Sequence, residues 1–274
     1  MTTTTTERPW QLEVFRRGLK KNQKLRLLLK HLGDVTGQRC TLITCGDNNG
    51  ALNYYFRQAG GTWTWADIGE HGLEPICEMQ EFLREPVHVV EPHALPFPDG
   101  AFDTVVVIDV HEHLEDPQPF TREVFRIVRP GGRAIVTVPN GDPWKLATII
   151  KHLIGMKKEE YGHHRIGYRM GELKRLLAGV GFSPYATGSY SRFFTEMMEL
   201  LINFAYVKVL SRRARGVQVD RGTIAPSSSR QLQAVSGSYK VYARLFPLFK
   251  AVSSLDRLIF LGHGYAVMVA ARKP

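Results

Sequence analysis

Short apolar runs alternate with helical patterns through the middle of the chain, and this alternation constrains the fold more than any other feature. "TLITC" is followed by "ALNYYFRQAG", and "TWTWADI" by "EPICEMQEFLRE". "VHVV" leads into a loop, "TVVVID" into "PFTREVFRIV", and "RAIVTV" into "WKLATIIKHLIG". Strands that are apolar along their whole length and separated by helices predict a parallel sheet covered on both faces. Before them, residues 8–32 read as helical, with Leu25, Leu28, Leu29 and Leu32 at i, i+3, i+4 and i+7. After them, "RPGG" at 129–132 predicts the end of one helix and a turn into the next strand. "GELKRLLAGVG" reads as a further helix, "FSPYATGSY" as a strand and "GYAVMVAARK" as the last strand.

Ligands of an open parallel sheet sit beyond the carboxyl ends of its strands, so the residues there are the candidate site. "LITCGDNNG" is a strand running into a turn, where Gly46 and Gly50 let backbone approach a ligand. Asp67 ends the second strand, where an acid can accept hydrogen bonds from both hydroxyls of a ribose. Glu91 follows the third strand, in reach of an adenine amino group. Asp109 ends the fourth and leads into "VHEHLED". A dinucleotide site would want G-x-G-x-x-G and a second mononucleotide half, and neither is present.

Taken in order, "LITCGDNNG", "WADI", "ALPFPDGAFDTVVVIDVHEHLEDP", "REVFRIVRPGGRAIVTVPN" and "HHRIGYRMGELKRLLAGVGF" resemble consecutive blocks of the class I S-adenosylmethionine-dependent methyltransferases, in their small-molecule and quinone-type branch. The resemblance covers about residues 40–190 and the C-terminal strand. It implies an α/β, Rossmann-like seven-stranded sheet, mostly parallel with an antiparallel last strand, flanked by helices. It also implies S-adenosylmethionine as cofactor, held by the loop of Gly46, Asp47, Asn48 and Gly50, by Asp67 at the ribose, by Glu91 with Ala94 near the adenine, and by Asp109. In the third block Glu91 replaces the more usual aspartate, and three positions of the first block also depart from the family pattern. Leu42 stands where an acid is usual, and Thr44 and Asn48 stand where glycines are usual. Asparagine tolerates left-handed backbone, whereas β-branched Thr44 would resist a positive φ. The loop therefore reads as modified and competent, with a degenerate loop on a non-catalytic scaffold as the alternative.

Methyl transfer from a sulfonium is an in-line displacement, in which holding acceptor and methyl in line supplies much of the rate. A hydroxyl, phenol or ammonium acceptor also calls for a general base, and histidine titrates in the right range. His113 matches the histidine of the family turn after the fourth strand, and His164 that of the block before the sixth. His111 and His163 are additional to the usual pattern, and with Tyr161 these residues are placed at the mouth of the pocket. The alternatives for this cluster are a histidine that only fixes the turn, and a metal site at the "HEH" of His111 and His113, which lacks a third placed ligand. Trp63 and Trp65 alternate in a strand and read as core.

The domains predicted are a basic helical segment (1–40), a methyltransferase domain (41–190 with 263–274) and a helical insertion (191–262) containing a flexible stretch near 211–237. Residues 1–40 hold nine Lys/Arg against three acids, 41–140 six against fifteen, and 141–274 twenty-one against eight. Basic flanks around an acidic centre point to an anionic partner. Within the insertion, "FTEMMELLINFAYVKVL" is apolar nearly all round, and "YKVYARLFPLFK" mixes aromatics, aliphatics and cations. That composition suits either a lid over the substrate or an interfacial contact with an anionic membrane. No RNA-binding module or base-methylating Asn/Asp-Pro-Pro-aromatic block is visible, which speaks against nucleic acid. The N-terminus lacks an apolar signal core, and Cys40, Cys45 and Cys77 form no CxxC pair. The expected setting is the cytoplasm, peripherally at the inner face of a membrane. The expected activity is methyl transfer to a small, hydrophobic or lipid-like acceptor such as an isoprenoid or quinone precursor.

Overall fold

The computed structural model describes residues 9–45, 50–69, 74–84, 86–145, 148–150, 164–213, 236–260 and 262–274. Two helices, α1 (Trp10–Arg16) and α2 (Leu19–Leu32), precede the first strand, so the single helix expected over 8–32 is broken around Gly18. Then follow β1 (Arg39–Thr44), α3 (Gly50–Arg57), β2 (Thr62–Asp67), α4 (Glu74–Leu83), β3 (Val87–Val89) and β4 (Phe102–Ile108). A 3-10 turn (His111–His113) leads to α5 (Pro117–Ile127) and β5 (Val128–Pro139). The chain continues through α6 (Met170–Gly179), β6 (Ser183–Tyr190), α7 (Phe193–Arg213), α8 (Ser236–Ser254), a second 3-10 turn (Leu255–Leu258) and β7 (Ala266–Arg272).

The strands form one seven-stranded sheet in the order β3-β2-β1-β4-β5-β7-β6. β7 alone runs against its neighbours, β5 and β6. Strand order reverses between β1 and β4, which pair in parallel, so the crevice between their carboxyl ends is the switch point where such sheets bind ligands. "RPGG" belongs to the strand rather than to a turn that stops a helix. α5 already ends at Ile127, and β5 starts at Val128 through a register irregularity opposite Phe102 and Thr104.

Successive strand residues point to opposite faces, and the core divides accordingly. Ile43, Val105, Val107, Val136 and Val269 pack with Phe120, Val124 and Ile127 of α5 and with Leu173 and Leu177 of α6. Leu42, Trp65, Val106, Ile135 and Met268 pack on the other face with Leu28 and Leu32 of α2 and Leu52 and Phe56 of α3. Each large side chain enclosed this way contributes about 1.5–3 kcal/mol. Leu42 stands where the family carries an acid, and it is fully buried among apolar neighbours. Trp63 and Trp65 are core residues, as their alternation suggested, with Trp63 stacked on Phe56 at 5.3 Å.

α7 and α8 pack on each other and on α2. Residues 214–235, most of the stretch predicted to be flexible, lie outside the described residues, while 211–213 and 236–237 are helical.

Candidate active site

β1 and β2 end side by side, with Thr44 opposite Asp67. Both side chains are fully buried. Thr44 Oγ1 donates to Asp67 Oδ2 at 2.5 Å and accepts from Trp65 Nε1 at 3.1 Å. The backbone N–H of Gly69 donates to Asp67 Oδ1 at 2.8 Å. Thr44 is absent from the non-glycine residues with positive φ, so the strain expected of it does not arise. Its hydroxyl is instead an anchor for the carboxylate, a role its sequence position gave no reason to assign.

On the neighbouring edge strand, Val89 pairs with Asp67 and is 57% exposed, giving an apolar surface next to the carboxylate. Gly69 takes φ +74°, and a Cβ there would lie 3.1 Å from Val89 Cγ1. Glu91 is exposed and forms an isolated antiparallel bridge with Ala94. The loop beyond is clamped to α5. Glu123 accepts from Leu95 N, while Arg126 donates to the carbonyls of Leu95 and Phe97. Gly46, Asp47 and Asn48 lie outside the described residues. Gly50 opens α3. One turn on, Asn53 is fully buried, and neither its Oδ1 nor its Nδ2 has a hydrogen-bond partner among the described residues. A buried, unanswered amide beside a ligand loop marks a group awaiting a partner.

Asp109 leaves β4 with φ +51°. Its carboxylate pairs with Lys24 Nζ of α2 and accepts from Thr137 Oγ1 at 3.3 Å. Lys24 is 7% exposed and lies on the stripe that also buries Leu28 and Leu32. The flanking residues of α2 tie down the insertion. Gln23 accepts from Ser191 N at 2.7 Å and donates to Thr195 Oγ1 at 2.7 Å, and Lys20 pairs with Glu196 at 2.9 Å. The N-terminal helices therefore bind both the strand ends and the insertion across them.

The histidines separate. His111 is fully enclosed against Phe120 and Tyr168, and Thr121 Oγ1 lies 3.3 Å from its Nε2. Burial pushes this imidazole down to about 3, so it is neutral. The ring is held inside, packed on α5 and Tyr168, rather than open to solvent. His113 is 6% exposed in the 3-10 turn. His164 is exposed, and its backbone N–H donates to Glu112 O at 3.0 Å, which fastens its segment to the same turn. Tyr161 lies outside the described residues. Among the described residues no group of three or more His, Cys, Asp or Glu could hold a metal ion.

A family profile described as a methyltransferase domain matches residues 43–136. The ubiquinone biosynthesis O-methyltransferase of Aeromonas salmonicida is 30% identical over 173 residues, which span 56% of this chain and 70% of that one. The chain belongs to the class I S-adenosylmethionine-dependent methyltransferases. The Klebsiella pneumoniae ubiquinone biosynthesis O-methyltransferase is 28% identical over 57% of this chain and 66% of its own. Two solved structures share the fold. Geranyl diphosphate C-methyltransferase from Streptomyces coelicolor has a TM-score of 0.53 at 14% identity, covering 93% of this chain and 79% of its own. Phosphoethanolamine N-methyltransferase 2 from Haemonchus contortus has 0.55 at 16%, covering 92% and 52%.

The cofactor of this methyltransferase is S-adenosylmethionine, and the residues present fit it. An oriented carboxylate at the switch point suits a ribose diol, the exposed Val89 suits the face of a base, and the unpaired Asn53 amide suits a polar group.

Proposed function

We propose that this methyltransferase transfers a methyl group to a small, hydrophobic acceptor of the quinone-precursor or isoprenoid type, at the inner face of a membrane. The observation that carries the reading is the oriented Thr44–Asp67 pair at the switch point, in a chain whose relatives are ubiquinone biosynthesis O-methyltransferases. As O-methyltransferases, those relatives favour oxygen as the acceptor atom. When bound, S-adenosylmethionine supplies a methyl group on an activated sulfonium leaving group.

This chain's own residues do the rest. Asp67 accepts from the ribose, Glu91 and Ala94 border the adenine, and Gly46, Asp47, Asn48 and Gly50 are the remaining cofactor-binding residues. Asp109 is a structural neighbour of that site, held by Lys24. His113 and His164, whose segments are joined by the hydrogen bond from His164 N–H to Glu112 O, are proposed as the bases for the acceptor proton, and Tyr161 is the further candidate. The burial of His111 leaves it a packing role. α7 and α8 form the lid over the acceptor.

The test is release of S-adenosylhomocysteine with a prenylated catechol, an unprenylated catechol and an RNA oligonucleotide as acceptors. Turnover on the prenylated catechol, falling by roughly 10²-fold or more in His113→Ala or His164→Ala, is expected. Turnover on RNA alone would overturn the reading.

A further inference from the structure

We propose that the outer face of α8 and the apolar tip after it dock on an anionic lipid bilayer, beside the mouth of the site. Val241, Leu245 and Leu248 stand at i, i+4 and i+7 on one stripe of α8 and are 57%, 43% and 59% exposed. Past the helix, Leu258 and Phe260 are 70% and 82% exposed. Trp144, 81% exposed, belongs to the same neighbourhood. Its neighbour Lys145 donates to His263 O at 2.5 Å, and Asn140 donates to Gly264 O, so the loop after β5 is bound to the loop that follows Phe260.

α8 is fastened by its other side. Tyr239 donates to Glu13 O, and Tyr242 donates to Arg17 O of the N-terminal helices. The aromatic side is thus spent on packing while the aliphatic side faces outward, an arrangement that water alone disfavours.

Charge selects the occupant. Residues 236–260 contain Lys240, Arg244, Lys250 and Arg257, all exposed, and a single acid, Asp256. Asp256 is 7% exposed and accepts from the backbone N–H groups of Arg192 and Phe194. Every charge this segment turns to solvent is therefore positive. Exposed aliphatic and aromatic side chains edged by cations match the acyl boundary and headgroups of an anionic leaflet.

Position adds a consequence. The Trp144 loop follows the carboxyl end of β5, and the loop after Phe260 enters β7, which runs antiparallel. The docking tip is thus at the end of the sheet where the site opens, and a lipid-like acceptor would enter without crossing bulk water. That last step rests on the proposed acceptor class, whereas docking itself does not. No helix among the described residues is long and apolar enough to span a membrane, so the contact is superficial.

The experiment is co-sedimentation of the full chain with phosphatidylcholine vesicles, with and without phosphatidylglycerol. It is run on wild type, a Trp144→Ser/Leu258→Ser/Phe260→Ser variant and a Lys240→Glu/Arg244→Glu variant, each first shown to bind S-adenosylhomocysteine. Salt-sensitive wild-type binding to phosphatidylglycerol vesicles, weakened roughly tenfold or more in both variants, is expected. Three outcomes would overturn the proposal: no wild-type binding, undiminished binding by the apolar variant, or a wild-type dimer in gel filtration that the apolar variant makes monomeric. No readout contains an acceptor, so failure here leaves the methylation assay intact, and the converse holds.

Discussion

Thr44 Oγ1 lies 2.5 Å from Asp67 Oδ2, and through that contact a residue standing where a glycine is usual fixes the carboxylate proposed to meet the cofactor's ribose. A hydrogen bond to a charged group is worth about 1.5–3 kcal/mol. Thr44→Val keeps the shape and removes the hydroxyl, so calorimetric titration with S-adenosylhomocysteine should show a dissociation constant raised roughly tenfold. Asp67→Ala should abolish measurable binding. An unchanged affinity in Thr44→Val would mean that Gly69 N–H alone orients the carboxylate.

The Lys24–Asp109 pair joins α2 to the exit of β4, and it is largely withdrawn from water. Removing one partner of such a pair leaves the other charge poorly compensated, at about 3–5 kcal/mol when fully buried. Asp109 keeps 22% of its side chain exposed, which places the cost of Lys24→Met near the lower figure, about 3 kcal/mol. Lys24→Met/Asp109→Asn should recover part of the loss in urea denaturation. Additive losses would show that the two residues are not coupled.

His111 makes stability depend on pH in a defined direction. Burial lowers its folded value to about 3, so the unfolded chain binds the extra proton first as pH falls. The contribution is present above about pH 6.5 and is lost on acidification toward about pH 3, at up to about 1.4 kcal/mol per pH unit. Denaturation midpoints at pH 7, 6 and 5 should fall less steeply in His111→Leu than in wild type. Parallel slopes would place the acid sensitivity elsewhere.

Gly167 passes so close to β5 that a Cβ on it would meet Pro139 O at 2.2 Å, with the backbone at φ +150°. Pro139 O is a main-chain atom and not the end of a flexible side chain, so the backbone itself must move. Gly167→Ala should cost about 1–3 kcal/mol and loosen the segment that carries His164. Accelerated hydrogen exchange across 164–170 is the expected signature, and wild-type exchange with wild-type stability would contradict the crossing.

Much of this was legible before any coordinates. The continuous apolar runs of residues 39–139 come from burial on both faces of a parallel sheet, and the period-3.6 patterns between them from helices covering it, so the strands announced themselves locally. Asp67, Glu91 and Asp109 were placed at strand ends because connectivity alone puts them there. Three features were not legible: Thr44 as an anchor, Lys24 as the partner of Asp109, and His111 as a core residue. Each depends on which side chain faces which across elements far apart in the chain. Thr44 and Asp67 are 23 positions apart, and Lys24 and Asp109 are 85 apart. The "HEH" spacing cannot say which ring turns inward, because a 3-10 turn spreads successive side chains around its axis. Only packing against Phe120 and Tyr168 decided that. The sequence by itself determined the sheet, its order of elements and the family. The tertiary structure decided the pairing of charges, because the desolvation that selects a partner exists only once the chain has closed around it.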